Sequence, residues 1–211
     1  MKISIENVSK EINGKTVFSN INWQVKNNSL VAIKGNSGTG KTTLLNIISL
    51  LDKPSSGGIL FNSENVTNIS IKKRREYLKK DLGFVFQNYG LLENSTIKQN
   101  LEIALKSKKF GKRKKLDLMI DTLQQVNLSS LDLNVKVSSL SGGEQQRIGL
   151  ARCILKNGNL IIADEPTAAL DSENEKIIML QFKELKKRGH TIILTTHSNK
   201  YDDWFDDVFY L

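Results

Sequence analysis

Residues 35–42 read Gly35-Asn36-Ser37-Gly38-Thr39-Gly40-Lys41-Thr42, which fits the pattern G-x-x-x-x-G-K-[ST]. The stretch follows an apolar run, Leu30-Val31-Ala32-Ile33-Lys34, that reads as a strand. It opens a periodic segment, Lys41 to Leu51, that reads as a helix. Glycines lack Cβ, so backbone amides can point inward at anion oxygens, and the N-terminus of the following helix adds partial positive charge. This strand, turn and helix therefore form a phosphate cradle. Lys41 is placed to bridge the β- and γ-phosphates of a nucleotide, and the Thr42 hydroxyl to ligate Mg²⁺. A plain Gly-rich turn is the alternative, and the flanking elements argue against it.

Outward from the cradle, strands alternate with helices. Strands are expected near Ile59 to Phe61, Gly83 to Phe86, Leu160 to Ala163 and Thr191 to Thr196, with helices over about Gly142 to Lys156 and Glu173 to Lys187 and helical patterns up to about residue 126. Such alternation means an α/β fold with a parallel sheet. The runs Leu160-Ile161-Ile162-Ala163 and Thr191-Ile192-Ile193-Leu194-Thr195-Thr196 are unbroken, as expected of strands covered on both faces. The middle of the chain is mostly helical, so residues 89–155 are expected to form an inserted helical subdomain. Residues 1–88 and 156–211 would then make one discontinuous α/β core.

The strand Leu160–Ala163 ends in Asp164-Glu165, at the carboxyl edge where parallel sheets bind ligands. Asp164 would hold Mg²⁺, usually through a water, and Glu165 would orient and deprotonate an attacking water. Farther back, Leu140-Ser141-Gly142-Gly143-Glu144-Gln145-Gln146-Arg147 precedes a long helix. Ser141 and Glu144 have the spacing of a capping box, a sufficient structural reason for both. Two glycines in a first helical turn are costly, however, and they permit close approach of a phosphate to bare amides. One chain has one cradle, so this second anion site would serve nucleotide held by a partner subunit.

With 39% apolar and 25% charged residues among 211, the chain has the composition of a globular protein with one large core. No apolar run is long enough to span a bilayer, the start MKISIENVSK lacks a signal peptide's apolar stretch, and the single cysteine, Cys153, suits a reducing compartment. The net charge of +9 is more than covered by two runs of +5 and +7, which leave the remainder at −3. Residues 72–80 hold six basic residues and one acid, and residues 106–115 hold seven basic residues and no acid. Nucleic acid, anionic lipid or nucleotide could answer such charge, as could plain solvation of helix faces; neither run has the interleaved aromatics of a base-stacking surface.

Taken together, the motifs resemble the ATP-binding subunit of an ABC transporter. They run in order along nearly the whole chain: GNSGTGKTT at 35–43, Gln87 in FVFQN, LSGGEQQR at 140–147, LIIADEPTAALD at 160–171, and His197 after TIILTT. The resemblance implies a P-loop NTPase core with a mainly parallel sheet, an antiparallel β subdomain near the N-terminus and an inserted α-helical subdomain. It implies ATP and Mg²⁺, with Thr43 among the ATP-binding residues. Gln87 is implied to contact Mg²⁺ and the attacking water, Asp171 to lie at the dimer contact, and His197 near the γ-phosphate. Two copies would pair head to tail, each ATP lying between the cradle of one and Ser141, Gly142 and Gly143 of the other, to drive separate transmembrane permease subunits from the cytoplasmic face of the plasma membrane. No nucleic-acid partner and no insertion of this chain into the membrane are implied.

General similarity points to ATPases of the macrolide-exporter and lipoprotein-release group, and nearest to lactococcin-type bacteriocin exporters. Two alternatives are an ABC ATPase acting on nucleic acid and a nucleotide-regulated clamp on a membrane complex. Where the family stacks adenine on an aromatic, this chain has Ile12, with Phe18 nearby. Cys153, Trp23, Trp204 and His190 are assigned to core or surface. If the cradle reading is right, Lys41→Ala loses ATP binding by calorimetry, and an unchanged affinity contradicts it.

Overall fold

The computed structural model describes residues 1–211 throughout. Five strands make a wholly parallel sheet: β3 (Leu30–Lys34), β6 (Leu82–Val85), β7 (Leu160–Ala163), β8 (Thr191–Thr195) and β9 (Asp207–Tyr210), in the order β6-β7-β8-β3-β9. The unbroken apolar runs have a direct cause in its cross-section. Leu30, Ala32, Ile161, Ala163, Ile192 and Leu194 face one core cluster, and Val31, Ile33, Leu160, Ile162 and Ile193 face a second. Both faces of each central strand are thus dry, and alternation has no solvent side to mark.

The two faces carry different layers. On one lie α3 (Ile97–Leu105), α4 (Lys112–Gln125), α5 (Gly142–Lys156) and α6 (Ser172–Lys187), whose buried side chains join the first cluster. On the other lie α1 (Lys41–Ile48) and an antiparallel sheet of β1 (Ile3–Ile12), β2 (Lys15–Val25), β4 (Ser56–Phe61) and β5 (Glu64–Asn65), in the order β2-β1-β4-β5. The remaining helix, α2 (Ile71–Lys80), packs at the β6 edge and buries no residue completely, because basic side chains fill most of its turns.

Periodicity does not mark the N-terminal strands or β9, and β4 belongs to the antiparallel sheet rather than the parallel one. Between β1 and β2 the pairing register shifts three times, and Asn7 and Asn20 adopt positive φ of 49° and 53°. These bulges interrupt the period-two pattern by which strands are recognised. The first helix stops at Ile48, not Leu51, because Leu50 turns to a φ of 62°. Phe61 is 1% exposed in the second cluster and meets Tyr77 of α2 edge to face, 5.5 Å between ring centroids. Phe61→Ala should cost about 3–5 kcal/mol in urea unfolding; a loss under about 1 kcal/mol would show that the antiparallel layer is not packed as described.

Candidate functional site

The turn between β3 and α1 is shaped by Gly40, whose φ is 100°. A Cβ there would lie 2.5 Å from Val17 Cγ1 and 3.0 Å from Phe18 Cδ1, so β2 presses on the turn and only glycine fits. Lys41 is buried to 7% exposure, and its Nζ donates to the carbonyls of Gly35 (3.0 Å) and Asn36 (2.9 Å). No carboxylate forms an ion pair with it. An ammonium bonded only to carbonyls, with no carboxylate at ion-pair distance, is suited to an anion brought to the turn. Thr39 Oγ1 donates to Asn36 O at 3.0 Å and closes the loop on itself.

At the neighbouring strand end, Asp164 and Glu165 follow β7. Thr42 Oγ1 lies 3.0 and 3.2 Å from the two Asp164 oxygens, and Thr195 Oγ1 donates to Asp164 Oδ1 at 2.6 Å. The same Thr195 hydroxyl accepts from the Glu165 amide at 2.8 Å, so one residue of β8 orients both acids. Glu165 sits at φ 43°, a strained conformation for a non-glycine residue, which turns its side chain off the strand line. Its Oε1 is buried without a well-directed hydrogen bond, 2.9 Å from His197 Nε2.

A cavity of about 520 Å³ joins these groups. Ser37, Gly38, Gly40, Lys41, Thr42, Thr43, Gln87, Glu165 and His197 line it, with Val17 and Ala168. Gly35, Asn36 and Thr39 support the turn from behind, and Asp164 reaches the cavity through its bond with Thr42. Ser141, Gly142, Gly143 and Asp171 stand outside the lining. Ser141 instead closes the capping box: its hydroxyl accepts from the Glu144 amide at 3.3 Å and donates to Glu144 Oε2 at 2.8 Å. The Ser141 amide also donates to that carboxylate at 2.8 Å, and these bonds hold Glu144 below the ordinary carboxylate range. Asp171 caps α6, accepting from the amides of Glu173 and Asn174. The two glycines have intrachain reasons as well. A Cβ on Gly142 would lie 2.7 Å from the Tyr89 hydroxyl, and one on Gly143 would lie 2.6 Å from the Asn174 side chain.

Four positioning residues escaped the sequence reading. Besides Thr195, Asn174 packs on Gly143 and donates to Asp171 Oδ2 at 2.7 Å. Buried Gln146 donates to Pro166 O at 2.7 Å, tying α5 to the turn just after Glu165. Arg152 donates to Gly90 O at 2.6 Å, holding the segment after Gln87 against α5. Only Gln146 had a signal, a polar residue on the buried stripe of an otherwise apolar helix face. As for the adenine contact, Phe18 is a core residue at 7% exposure and has no free face to stack on a base, whereas Ile12 is 46% exposed at the end of β1 and lies outside the cavity lining. Cys153, Trp23 and His190 are buried, Trp23 donating to Asp207 and His190 bonded to Gly158 O; Trp204 meets Tyr201 edge to face.

A family model described as ABC transporter matches residues 18–168, which include the cradle, Gln87, the Ser141 turn and both acids. The chain belongs to the ABC transporter family, as an ATPase domain. Macrolide export ATP-binding/permease protein MacB of Vibrio parahaemolyticus is 39% identical over 92% of this chain, which spans 29% of that protein. A Mycoplasma genitalium protein provisionally named an ABC transporter ATP-binding protein is 40% identical over 99% of this chain, which spans 45% of it. The chain therefore spans less than half the length of these relatives. Among solved structures, a dimeric ATP-binding cassette, MJ0796, in a post-hydrolysis state bound to ADP and Pi covers 99% of this chain and 94% of its own at a TM-score of 0.91 and 30% identity. The fold is that of these ABC cassettes, with the antiparallel sheet and the helical layer both present. No helix is long and apolar enough to cross a membrane.

Burial raises the Glu165 pKa above its ordinary 4.5, with Asp164 adding to the rise and His197 and Lys41 opposing it. At low pH the folded and unfolded chains both hold the proton. As pH climbs past the ordinary value the unfolded chain releases it first, so ionised Glu165 costs the folded state stability. Glu165→Gln removes that cost. The variant should melt above the parent at pH 7, with the gap closing as pH falls towards about 4. A gap independent of pH would show that the carboxylate is not buried as found.

Proposed function

We propose that the chain is the ATP-binding and ATP-hydrolysing subunit of an ABC transporter, dimerising around two ATP molecules to drive a separate membrane permease. One observation carries the proposal: a buried Lys41 without an acidic partner and Glu165 line the same cavity, with Asp164 bonded to Thr42 of its wall, while the Ser141–Gly143 turn lies outside it. Groups suited to binding phosphate and to activating water thus share one cavity, and the Ser141 helix end, suited to a second anion, lies outside it. A head-to-tail pair would bring that turn over the partner's cradle. The dimeric ADP- and Pi-bound cassette supports the arrangement for this chain.

In this reading the amides of residues 35–43 and Lys41 hold the triphosphate. Glu165 takes a proton from the attacking water, and burial raises its pKa, the direction that makes its carboxylate a stronger base. His197, whose Nε2 lies 2.9 Å from Glu165 Oε1, would stand beside the γ-phosphate. The donor set fits Mg²⁺. Thr42 and Asp164 place a hydroxyl and a carboxylate 3.0 Å from each other, and Gln87 adds an amide to the same cavity, all oxygen donors suited to a hard ion. Few protein oxygens, completed by phosphate, are the usual mode for this ion. Bound there, Mg²⁺ would neutralise charge developing on the phosphates.

Residues 1–88 with 156–211 would serve as the ATPase core and residues 89–155 as the helical subdomain that receives a cytoplasmic helix of the permease. The bond from Arg152 to Gly90 gives the Gln87 segment a mechanical link to that subdomain. Placement would be peripheral, at the cytoplasmic face of the membrane. Similarity to macrolide-export relatives supports an export role, with a bacteriocin, other antimicrobial peptide, macrolide or lipoprotein-like molecule as cargo. Glu165→Gln should bind ATP, accumulate as a dimer on size exclusion, and release phosphate at least about 10²-fold more slowly. Turnover at the parent rate would overturn the base assignment, and full turnover by a strict monomer would overturn the shared site.

A further inference from the structure

The second basic run has an address in the fold that the ATPase reading does not use. Residues 106–115 join α3 to α4 and form the first turn of α4. A groove of about 790 Å³ runs between these helices. Its floor is apolar, with Ile103, Leu116 and Met119, and its rim is cationic, with Lys112, Arg113 and Lys115 at the α4 end. Glu102 is the one acid in the lining. Ile103 and Leu116 are 47% and 41% exposed, and Phe110, at the crest of the connection, is 43% exposed.

The charge is unanswered inside the molecule. None of the seven basic side chains in residues 106–115 makes an ion pair or a hydrogen bond to the protein. Lys112, Arg113, Lys114 and Lys115 also crowd the first turn of α4, which has no acid and no side-chain cap. Cations at that end oppose the helix dipole and one another. A local rule broken without intrachain compensation marks a surface shaped for something outside the chain.

We propose that this groove and the Phe110 crest form an attachment surface for an anionic phospholipid bilayer. Clustered lysine and arginine answer the headgroup charge, the exposed ring of Phe110 suits the interface just below it, and the apolar floor accepts the first methylenes beneath a phosphate. Single-stranded nucleic acid presents the same phosphate charge, but it is held by several stacking aromatics, and Phe110 is the only aromatic residue in the run. The inference does not depend on the ATPase assignment: lipid attachment could fail with turnover intact, and the reverse.

The test uses the purified 211-residue chain and vesicles of phosphatidylcholine alone or with about 30% phosphatidylglycerol. Binding should require the anionic lipid and fall as salt rises from about 0.1 to 0.5 M. The triple variant K112E/R113E/K114E should bind at least about 10-fold more weakly. A control with the same change in net charge, K2E/K26E/K176E, replaces other exposed and unpaired lysines and should lose less than about 3-fold. Phe110→Trp should add a blue-shifted emission on anionic vesicles that is absent on neutral ones. Circular dichroism verifies that each variant is folded, as substitution of exposed side chains predicts. Equal losses in the two triple variants, indifference to lipid charge, or an added F110W emission that does not shift on anionic vesicles would each overturn the proposal. So would a single-stranded RNA that binds more tightly than the vesicles and displaces them.

Discussion

The site depends on parallel pairing between β3, β8 and β7. Because Ala32 pairs with Leu194 and Leu194 with Ala163, the three strands end at one level. The cradle after β3, the threonine at the end of β8 and the two acids after β7 therefore emerge side by side. Thr195 registers the arrangement: its single hydroxyl accepts from the Glu165 amide and donates to Asp164. A slip of one residue would exchange the two faces of a strand as well as move its end. Since the two core clusters want different side chains from each strand, burial on both faces guards the register that the chemistry needs.

The turn at Ser141 follows a different logic. Its residues are satisfied locally, by the capping box and by close packing of Tyr89 and Asn174 on the two glycines. The Ser141 hydroxyl and amide are both given to the Glu144 carboxylate and the Glu144 amide to Ser141 Oγ, so the amides left open in the first turn are those of Gly142 and Gly143. The same helix holds both ends of a chain of contacts: Gln146 touches the turn after Glu165, and Arg152 holds the segment after Gln87. A shift of α5 would therefore be felt both at the turn after Glu165 and in the segment after Gln87.

Local motifs were legible because each depends on chemistry within a few residues. The glycine turn, the acids after an apolar run and the capping box at Ser141 are all of this kind, and the structure places each at the predicted end of its element. Of the antiparallel layer, periodicity marked only β4, near Ile59 to Phe61. Bulges at Asn7 and Asn20 break the alternation in β1 and β2, and β9 begins on an acid and has no fully buried residue, so no apolar run marks it. Thr195 and Asn174 gave no signal because a hydroxyl or an amide near an element end acquires meaning only from what stands across from it.

The amino-acid sequence by itself determined the α/β class, the phosphate cradle, the order of the motifs and the concentration of charge in two runs, since these follow from spacing and residue type. Tertiary structure alone decided that Phe18 is packed inside, that one threonine aligns both acids, and that the 106–115 run flanks an apolar groove. Those facts join residues far apart in the chain, and their proximity is created by the closing of the core rather than by any local preference.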